Sequence, residues 1–514
     1  MRKIDLHKAK HWLEAQPLHL FLLPVFFTIN IYVQYAGLIS MESLAVTLAG
    51  AFTFIFFLFK SLNYFIGDKI KSGLIATIMS ILMLYFGDIK VGLSLIPGLF
   101  FLERYRYFFP LMILLSFSVL LGIYRSKNLH SFNLYVNTLF AFYTVLAIAR
   151  FGAVINEAYQ FSKEQERQKK QVKDMLMTGS VDKNKMPDIF FIMPDCYPST
   201  LYQHEMLHYD NSYFDSALVS RGFYVASGSR SNFNRTTFSI PSTIDLNYLN
   251  FIDTSFAYPA IEYSKALAKA KKATLFTLLK IYDYKIINLS IFDLEDAPAF
   301  TKANFIRSSE RGIILNNTII GCYIRDFSWR LTKPATASPG YLTNEIIEHY
   351  KGYEKHNYKV IDSLQSILLT NNSDSIPKMI YLHLYMPHYP YFNDSAGNRY
   401  PDVDVFKKGG EVDRQKFAGY IKYTNQKLLN IVDGILQKTD REAAIVLQSD
   451  HGFDDIDVSR PQDAFRNYKA VYFHDKNYSM LYDSISNVNT FRVLLNKYFN
   501  QHLPMLPDSS YYIK

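Results

Sequence analysis

Carboxylates and imidazoles recur directly after short apolar runs in the downstream half of the sequence. Asp195 closes DIFFIMPD, Asp450 and His451 follow AAIVLQS, and His388 and Tyr391 lie in MPHYPY after KMIYLHL. Singly, an Asp after a strand caps a helix and a lone His is a satisfied polar group. Together they form a donor set suited to one divalent metal, manganese or zinc. A metal with open positions needs a group to activate, and GSRSNFNRTTFSIPSTID (228–245) places small hydroxyl residues where loop composition turns into helix. A hydroxyl at a helix start meets backbone donors and the positive end of the dipole, which favour an alkoxide and an anionic substrate. The plainer alternative is that these Ser and Thr residues cap the helix.

The elements that must carry these residues can be read from the hydropathy pattern. DIFFIMP, YKIINLSIF, KMIYLHLYM and AAIVLQS are continuous apolar runs, separated by polar or amphipathic stretches such as 341–370 and 413–438. Strands that are apolar throughout, alternating with helices, predict an α/β domain with a mostly parallel sheet covered on both faces. In such sheets the reactive groups sit past the carboxyl ends of the strands, where Asp195, His388, Asp450 and His451 fall.

Upstream the composition changes. The 514-residue chain is 49% hydrophobic and 16% aromatic, and apolar stretches recur at 18–37, 43–60, 72–87, 107–124 and 133–154. Each approaches the roughly 20 residues a membrane span needs, so about five transmembrane helices are expected. A further run, VGLSLIPGLFFL (91–102), is short and contains Pro97. The net charge of +9 is confined to residues 1–186, with 20 Lys+Arg against 11 Asp+Glu, while 187–514 balance at 35 each. Basic residues therefore flank membrane segments and do not mark a nucleic-acid surface. The start, MRKIDLHKAKHWLEAQP, reads as a cytoplasmic flank without the short apolar core of a cleaved signal. The predicted organisation is a transmembrane domain at 1–155, a polar juxtamembrane linker at 156–186 and a catalytic domain at 187–514.

Two cysteines, Cys196 and Cys322, build neither a disulfide framework nor a cysteine zinc site. DIFFIMPD, SNFNRT, the His-Tyr-Pro-Tyr segment and SDHG, in that order, resemble the alkaline phosphatase and sulfatase superfamily. They are similar in particular to membrane-anchored lipoteichoic acid synthases and lipid A phosphoethanolamine transferases, over about 187–500. The resemblance implies Asp195, Asp450 and His451 as metal ligands and Thr236 as both ligand and nucleophile, with Thr237 beside it as the alternative. It assigns His388 to the substrate phosphoryl or the leaving group, and Asn232, Arg235 and Tyr391 to substrate contacts or to orienting the segment. CYPST at 196–200 nearly spells the motif from which sulfatases make formylglycine, but its fifth residue is Thr200, not Arg, and Cys196 adjoins Asp195. Cys196 is therefore expected to be a passenger in the turn.

The resemblance departs at one place: no histidine lies between His451 and His474, so a second metal would need Asp454, Asp455 or Asp457. The expected function is transfer of a phosphoglycerol- or phosphoethanolamine-type headgroup from a membrane phospholipid to a glycan or lipid acceptor. A phospho-threonine would be the intermediate, in a multi-pass protein of a bacterial inner membrane with its catalytic domain facing the periplasm or exterior. The alternatives are a phosphate or sulfate ester hydrolase and a non-catalytic envelope scaffold.

Overall fold

The computed structural model describes residues 6–176, 186–252, 260–302, 310–326, 342, 344–369, 376–407, 409–438, 442–453 and 460–513. The chain divides into two compact units, Met1–Gln160 with Ile306–Thr336 and Phe161–Phe305 with Ala337–Lys514.

The first unit is helical, and each of the five apolar stretches falls on a helix. Met41–Ile66, Tyr105–Arg125 and His130–Gln171 are long and apolar enough to cross a membrane. Lys69–Leu84 and Phe86–Ser94 are bent by 72° at their junction and count as a fourth if they form one span. His19–Gln34 has 16 residues, about 24 Å at 1.5 Å per residue, short of the ~30 Å hydrocarbon core. Length and composition thus support three or four spans where five were expected. The 91–102 run does not make another: it divides between the end of Phe86–Ser94 and the short 3-10 turn Phe100–Glu103.

Local chemistry sets the helix ends. Asp68 accepts from the amides of Ile70 and Lys71, and Gly67 closes Met41–Ile66 at φ 72°, a left-handed conformation that suits glycine. Phe57, Tyr64, Phe65, Ile113 and Phe117 point outward on the long helices, as lipid-facing residues do. Inside, His19 is fully buried, with ring nitrogens 2.6 Å from Thr77 Oγ1 and 3.1 Å from Asn133 Oδ1. Such pairing is what a polar group away from water requires. The helices Glu310–Leu315 and Ile319–Asp326 belong to this unit, where Asn317 accepts from the Gly87 amide at 2.7 Å and Tyr105 donates to Asp326 at 2.5 Å.

The second unit is built on a six-stranded sheet. Its strands are β1 (Asp188–Asp195), β2 (Tyr224–Val225), β3 (Lys285–Leu289), β4 (Lys378–Pro387), β5 (Ala443–Gln448) and β6 (Lys469–Phe473). The order is β2-β6-β5-β1-β4-β3. β3, β4, β1 and β5 run parallel, while β6 pairs antiparallel with β5 and β2 antiparallel with β6. β1 lies in the middle, and all eight of its residues are buried. Phe190 and Ile192 pack on one face with the helices Asn344–Leu369 and Arg414–Lys438. Ile189, Phe191 and Met193 pack on the other, with Thr236–Asp245, Thr274–Ile281 and Asn487–Tyr498. This two-sided burial is the reason DIFFIMPD shows no polar alternation.

The juxtamembrane stretch that begins at 156 is helical as far as Leu176, continuous with His130.

Candidate active site

Asp195 is the last residue of β1, and the β1–β4 register slips between Pro194 and Asp195. Cys196 then takes φ 59°, a sharp turn that aims its amide at Asp450 Oδ1, 3.0 Å away. Cys196 Sγ is buried and donates to the Gly452 carbonyl at 3.4 Å. The cysteine side chain thus fills the turn, and its backbone orients a carboxylate.

Asp450 and His451 follow β5. The Asp450 carbonyl accepts from Ser239 Oγ at 2.5 Å and from Asn487 Nδ2 at 3.1 Å, which fixes the turn. Gly452 is required sterically: a Cβ there would lie 2.7 Å from the Asp463 carbonyl oxygen and 2.9 Å from that of Arg466. His451 Nδ1 donates to the Gly452 carbonyl at 2.6 Å, which leaves Nε2 as the lone-pair nitrogen, 3.3 Å from Asp450 Oδ2.

The hydroxyl comes from the next layer. Arg235 holds the N-cap position of Thr236–Asp245 in extended conformation, φ −131° and ψ 133°, so Thr236 opens the helix. Thr236 Oγ1 donates to Asp450 Oδ2 at 2.7 Å and lies 3.4 Å from His451 Nε2. Thr237, about 100° further round the helix, is buried and donates to Tyr263 Oη at 2.8 Å. Of the two threonines, Thr236 faces the carboxylates.

One ligand atom from each of Asp195, Asp450 and His451 lies within 4.8 Å of the others. Asp195 Oδ1 is buried with no hydrogen-bond partner among the described residues, an orphaned acceptor that a cation would satisfy. Burial by itself pushes the Asp195 carboxyl up; the imidazoles of His388, His383 and His451 outweigh it and hold the group at about 2. Burial and the Asp195 charge push Asp450 up. Two buried carboxylates of unequal basicity in one site, with a neutral imidazole nitrogen and a hydroxyl, fit a divalent zinc or manganese ion. Asp454, Asp455 and Asp457, named above for a second metal, lie outside the described residues.

The other expected residues are placed unequally. His388 is half-buried just past β4; its Nδ1 donates to the Tyr389 carbonyl at 2.5 Å, and its imidazole is among the groups that hold the Asp195 carboxyl down. Tyr391 is 2% exposed, with its ring 5.3 Å from Phe417 and 5.5 Å from Tyr389. It is a core residue, because the aromatic cluster below the loop encloses it. Asn232 is fully buried, accepting from the Val488 amide at 2.8 Å and donating to the Ser509 carbonyl at 2.9 Å. It holds backbone, and substrate has no access to its amide.

Sequence reading missed His383. It lies within β4, fully buried, with Nε2 3.5 Å from Asp195 Oδ2, and its carbonyl is 2.8 Å from His356 Nε2. The available signal was an imidazole in an otherwise apolar strand, KMIYLHLYM. An imidazole behind a ligating carboxylate orients it and tunes its basicity.

Residues 302–493 match the sulfatase family model, and no curated protein matches the chain. The chain is similar to the solved C-terminal periplasmic domain of EcEptC from Escherichia coli, at 13% identity and a TM-score of 0.36, over 62% of this chain and 84% of that one. It is similar to lipooligosaccharide phosphoethanolamine transferase A (EptA), an integral membrane protein from Neisseria meningitidis, at 10% identity and a TM-score of 0.39, over 97% of each chain. The corresponding domain of phosphoethanolamine transferase EptC from Campylobacter jejuni gives 14% and 0.33, over 62% of this chain and 90% of that one. The matched family span includes His388, Asp450 and His451, while Asp195 and Thr236 reach the same site from upstream of it. Residues 302–493 thus carry the likeness to the sulfatase family, and the strand ends gather two carboxylates, an imidazole and a hydroxyl at one place, in a chain with three helices long and apolar enough to cross a membrane.

Proposed function

We propose that the enzyme transfers a phosphoryl headgroup, of the phosphoglycerol or phosphoethanolamine type, from a membrane phospholipid to a hydroxyl on a cell-envelope glycan or lipid. The observation that carries this reading is the Thr236 hydroxyl, at the first position of a helix and 2.7 Å from Asp450. A divalent cation held by Asp195, Asp450, His451 and Thr236 would lower the pKa of the threonine hydroxyl and offset charge on the phosphoryl oxygens. Asp450, whose carboxyl is pushed up, accepts the Thr236 proton as Oγ1 attacks phosphorus. The bond from phosphorus to the diacylglycerol oxygen breaks, and His388, held through Nδ1, protonates that oxygen from Nε2. The headgroup then sits as a phosphodiester on Thr236. An acceptor hydroxyl attacks that phosphorus and gives its proton to His388 Nε2, the bond from phosphorus to Thr236 Oγ1 breaks, and Asp450 returns its proton to the threonine oxygen. Dividing the transfer suits donor and acceptor that arrive separately. The apolar helices that hold the chain in the membrane support a lipid donor, and an envelope acceptor implies a bacterial inner membrane with the catalytic domain on its outer side.

The family match favours one rival, hydrolysis of a phosphate or sulfate ester, with water taking the place of the acceptor. The test uses detergent-purified protein, with zinc or manganese, and phospholipids labelled on the acyl chain. Diacylglycerol released by wild type and by no Thr236→Ala sample, with the headgroup recovered on an added alcohol acceptor, supports the transferase. No release from any headgroup, with turnover of 4-nitrophenyl phosphate or sulfate, replaces it with the hydrolase.

A further inference from the structure

The loop that presents Thr236 is itself held by a distant part of the chain. Residues 503–513 form no helix or strand beyond one bridge, Phe233 to Tyr511, yet Ile513 is 1% exposed. Nearly every residue of 231–234 is bonded to this segment. The Ser231 carbonyl accepts from Ser510 Oγ at 2.7 Å, and the Asn232 carbonyl accepts from the Tyr511 amide at 2.9 Å. The Asn232 side chain donates to the Ser509 carbonyl at 2.9 Å. The Phe233 ring stacks on Tyr511 at 5.8 Å. Asn234 makes a reciprocal pair, donating to the Ile513 carbonyl at 3.1 Å while accepting its amide at 2.8 Å. Arg235 and Thr236 come next in sequence.

The segment is anchored in turn to the helix Asn487–Tyr498 by two more pairs of the same kind. Asn489 bonds both the amide and the carbonyl of Leu506, at 2.9 and 2.8 Å, and Asn496 both those of Leu503, at 2.8 and 2.9 Å. A side-chain amide that matches both polar groups of one residue substitutes for a neighbouring strand, so an extended segment is fixed without a sheet. The Asn234–Ile513 pair is buried, so its two bonds cannot be exchanged for water at no cost, whereas the other pairs are part-buried.

We infer that 503–513 is a positioning element of the catalytic site: it sets the entry of the chain into Thr236–Asp245, and Asn234 is the positioning residue that transmits it. The inference rests on the reading of Thr236 as nucleophile. It follows from the geometry that loss of the Asn234 pair frees the N-cap while leaving the metal ligands on β1 and β5 in place. Substrate binding is then retained and reaction of the bound substrate is lost, since misplacement by about 1 Å costs on the order of 100-fold in rate.

The experiment compares full-length wild type, Asn234→Ala and Asn496→Ala in detergent, by amide hydrogen exchange and by diacylglycerol release. Asn496→Ala removes the same kind of pair at the far end of the segment and serves as the control. For Asn234→Ala the expected result is faster exchange at Phe238, Ser239, Tyr511 and Ile513 with β1 and β5 unchanged, and kcat lower by roughly ten- to hundredfold at unchanged KM. Asn496→Ala, which leaves the Asn489 anchor and the Asn234 pair in place, is expected to change kcat and the Phe238 and Ser239 exchange by much less than Asn234→Ala does. Unchanged exchange at Phe238 and Ser239 in Asn234→Ala, equal losses in both variants, or exchange raised throughout β1 and β5 overturns the inference. If wild type releases no diacylglycerol, the transferase reading falls, while the exchange pattern still decides whether 503–513 positions the loop.

Discussion

Replacing Asp450 by Asn separates the chemistry of the site from its contribution to folding. Asp450 shares its pocket with Asp195, their ligand atoms lying within 4.8 Å. With both groups ionised at that separation, repulsion at an effective dielectric of ~20 is about 3.5 kcal/mol. The imidazoles of His383 and His451 act on both carboxylates. In Asp450→Asn the amide oxygen still accepts from the Cys196 amide, and the amide nitrogen faces Thr236 Oγ1, which accepts in place of donating. One buried charge is gone, and the hydrogen bonds can be remade. Metal-free Asp450→Asn is therefore expected to be at least as stable as metal-free wild type. The response to metal should differ strongly. At a free metal concentration 100 times Kd, binding stabilises wild type by about 2.7 kcal/mol, or about 4 °C in Tm for a unit of this size. The variant should show almost none of that shift. The assay is thermal unfolding of both proteins in detergent, followed by near-UV circular dichroism, with EDTA and then with zinc or manganese. A wild type indifferent to chelator and metal refutes the reasoning, as does an Asp450→Asn protein that keeps the full metal response or is several kcal/mol less stable without it.

Other expectations are equally direct. Thr236→Ala is expected to lose kcat by about 10⁴-fold or more, while Thr237→Ala, which loses only the bond to Tyr263, costs ~1 kcal/mol in denaturant unfolding and keeps its rate; the reverse ranking would move the nucleophile to Thr237. His383→Gln is expected to weaken metal affinity about 10- to 100-fold, measured by competition with a chromogenic chelator, because it removes the imidazole behind Asp195. Lys469 is fully buried, donates to the Ile485 carbonyl at 2.7 Å, and burial depresses its pKa well below the usual lysine range. A lysine depressed in the folded state destabilises below its folded pKa, so wild-type stability should rise with pH from there up to the unfolded value near ~10.4. Lys469→Met should flatten that slope in urea unfolding between neutral and alkaline pH. Asp245→Ala removes the carboxylate paired with Lys269 at 2.9 Å and leaves that ammonium bonded to Gln168, so it is expected to cost about 1.5–3 kcal/mol in the same assay.

The sequence alone determined the features that depend on runs of side chains. Burial on both faces demands an unbroken apolar strand, so β1, β3, β4 and β5 were legible, and with them the strand-end positions of Asp195, His388, Asp450 and His451. Helical apolar segments were visible upstream for the same reason, although a 16-residue helix and a bent pair cannot be told from full spans by composition. Strands β6 and β2, which turn one edge of the sheet antiparallel, were not read from the sequence, and β2 has only two residues to leave a trace.

What only the tertiary structure decided is which polar groups meet. Thr236 and Thr237 are chemically identical neighbours; helical phase at an N-terminus sends one hydroxyl to Asp450 and the other to Tyr263. Tyr391 follows a strand as His388 does, but its ring is enclosed by Phe417, Tyr389 and Tyr420. Asn232 resembles a substrate contact in the string SNFNRT, yet it and Asn234 bond residues about 280 positions downstream, at Ser509 and Ile513. Hydrogen bonds between residues so far apart have no periodicity to betray them, since they are fixed by where the sheet and its covering helices bring the backbone together.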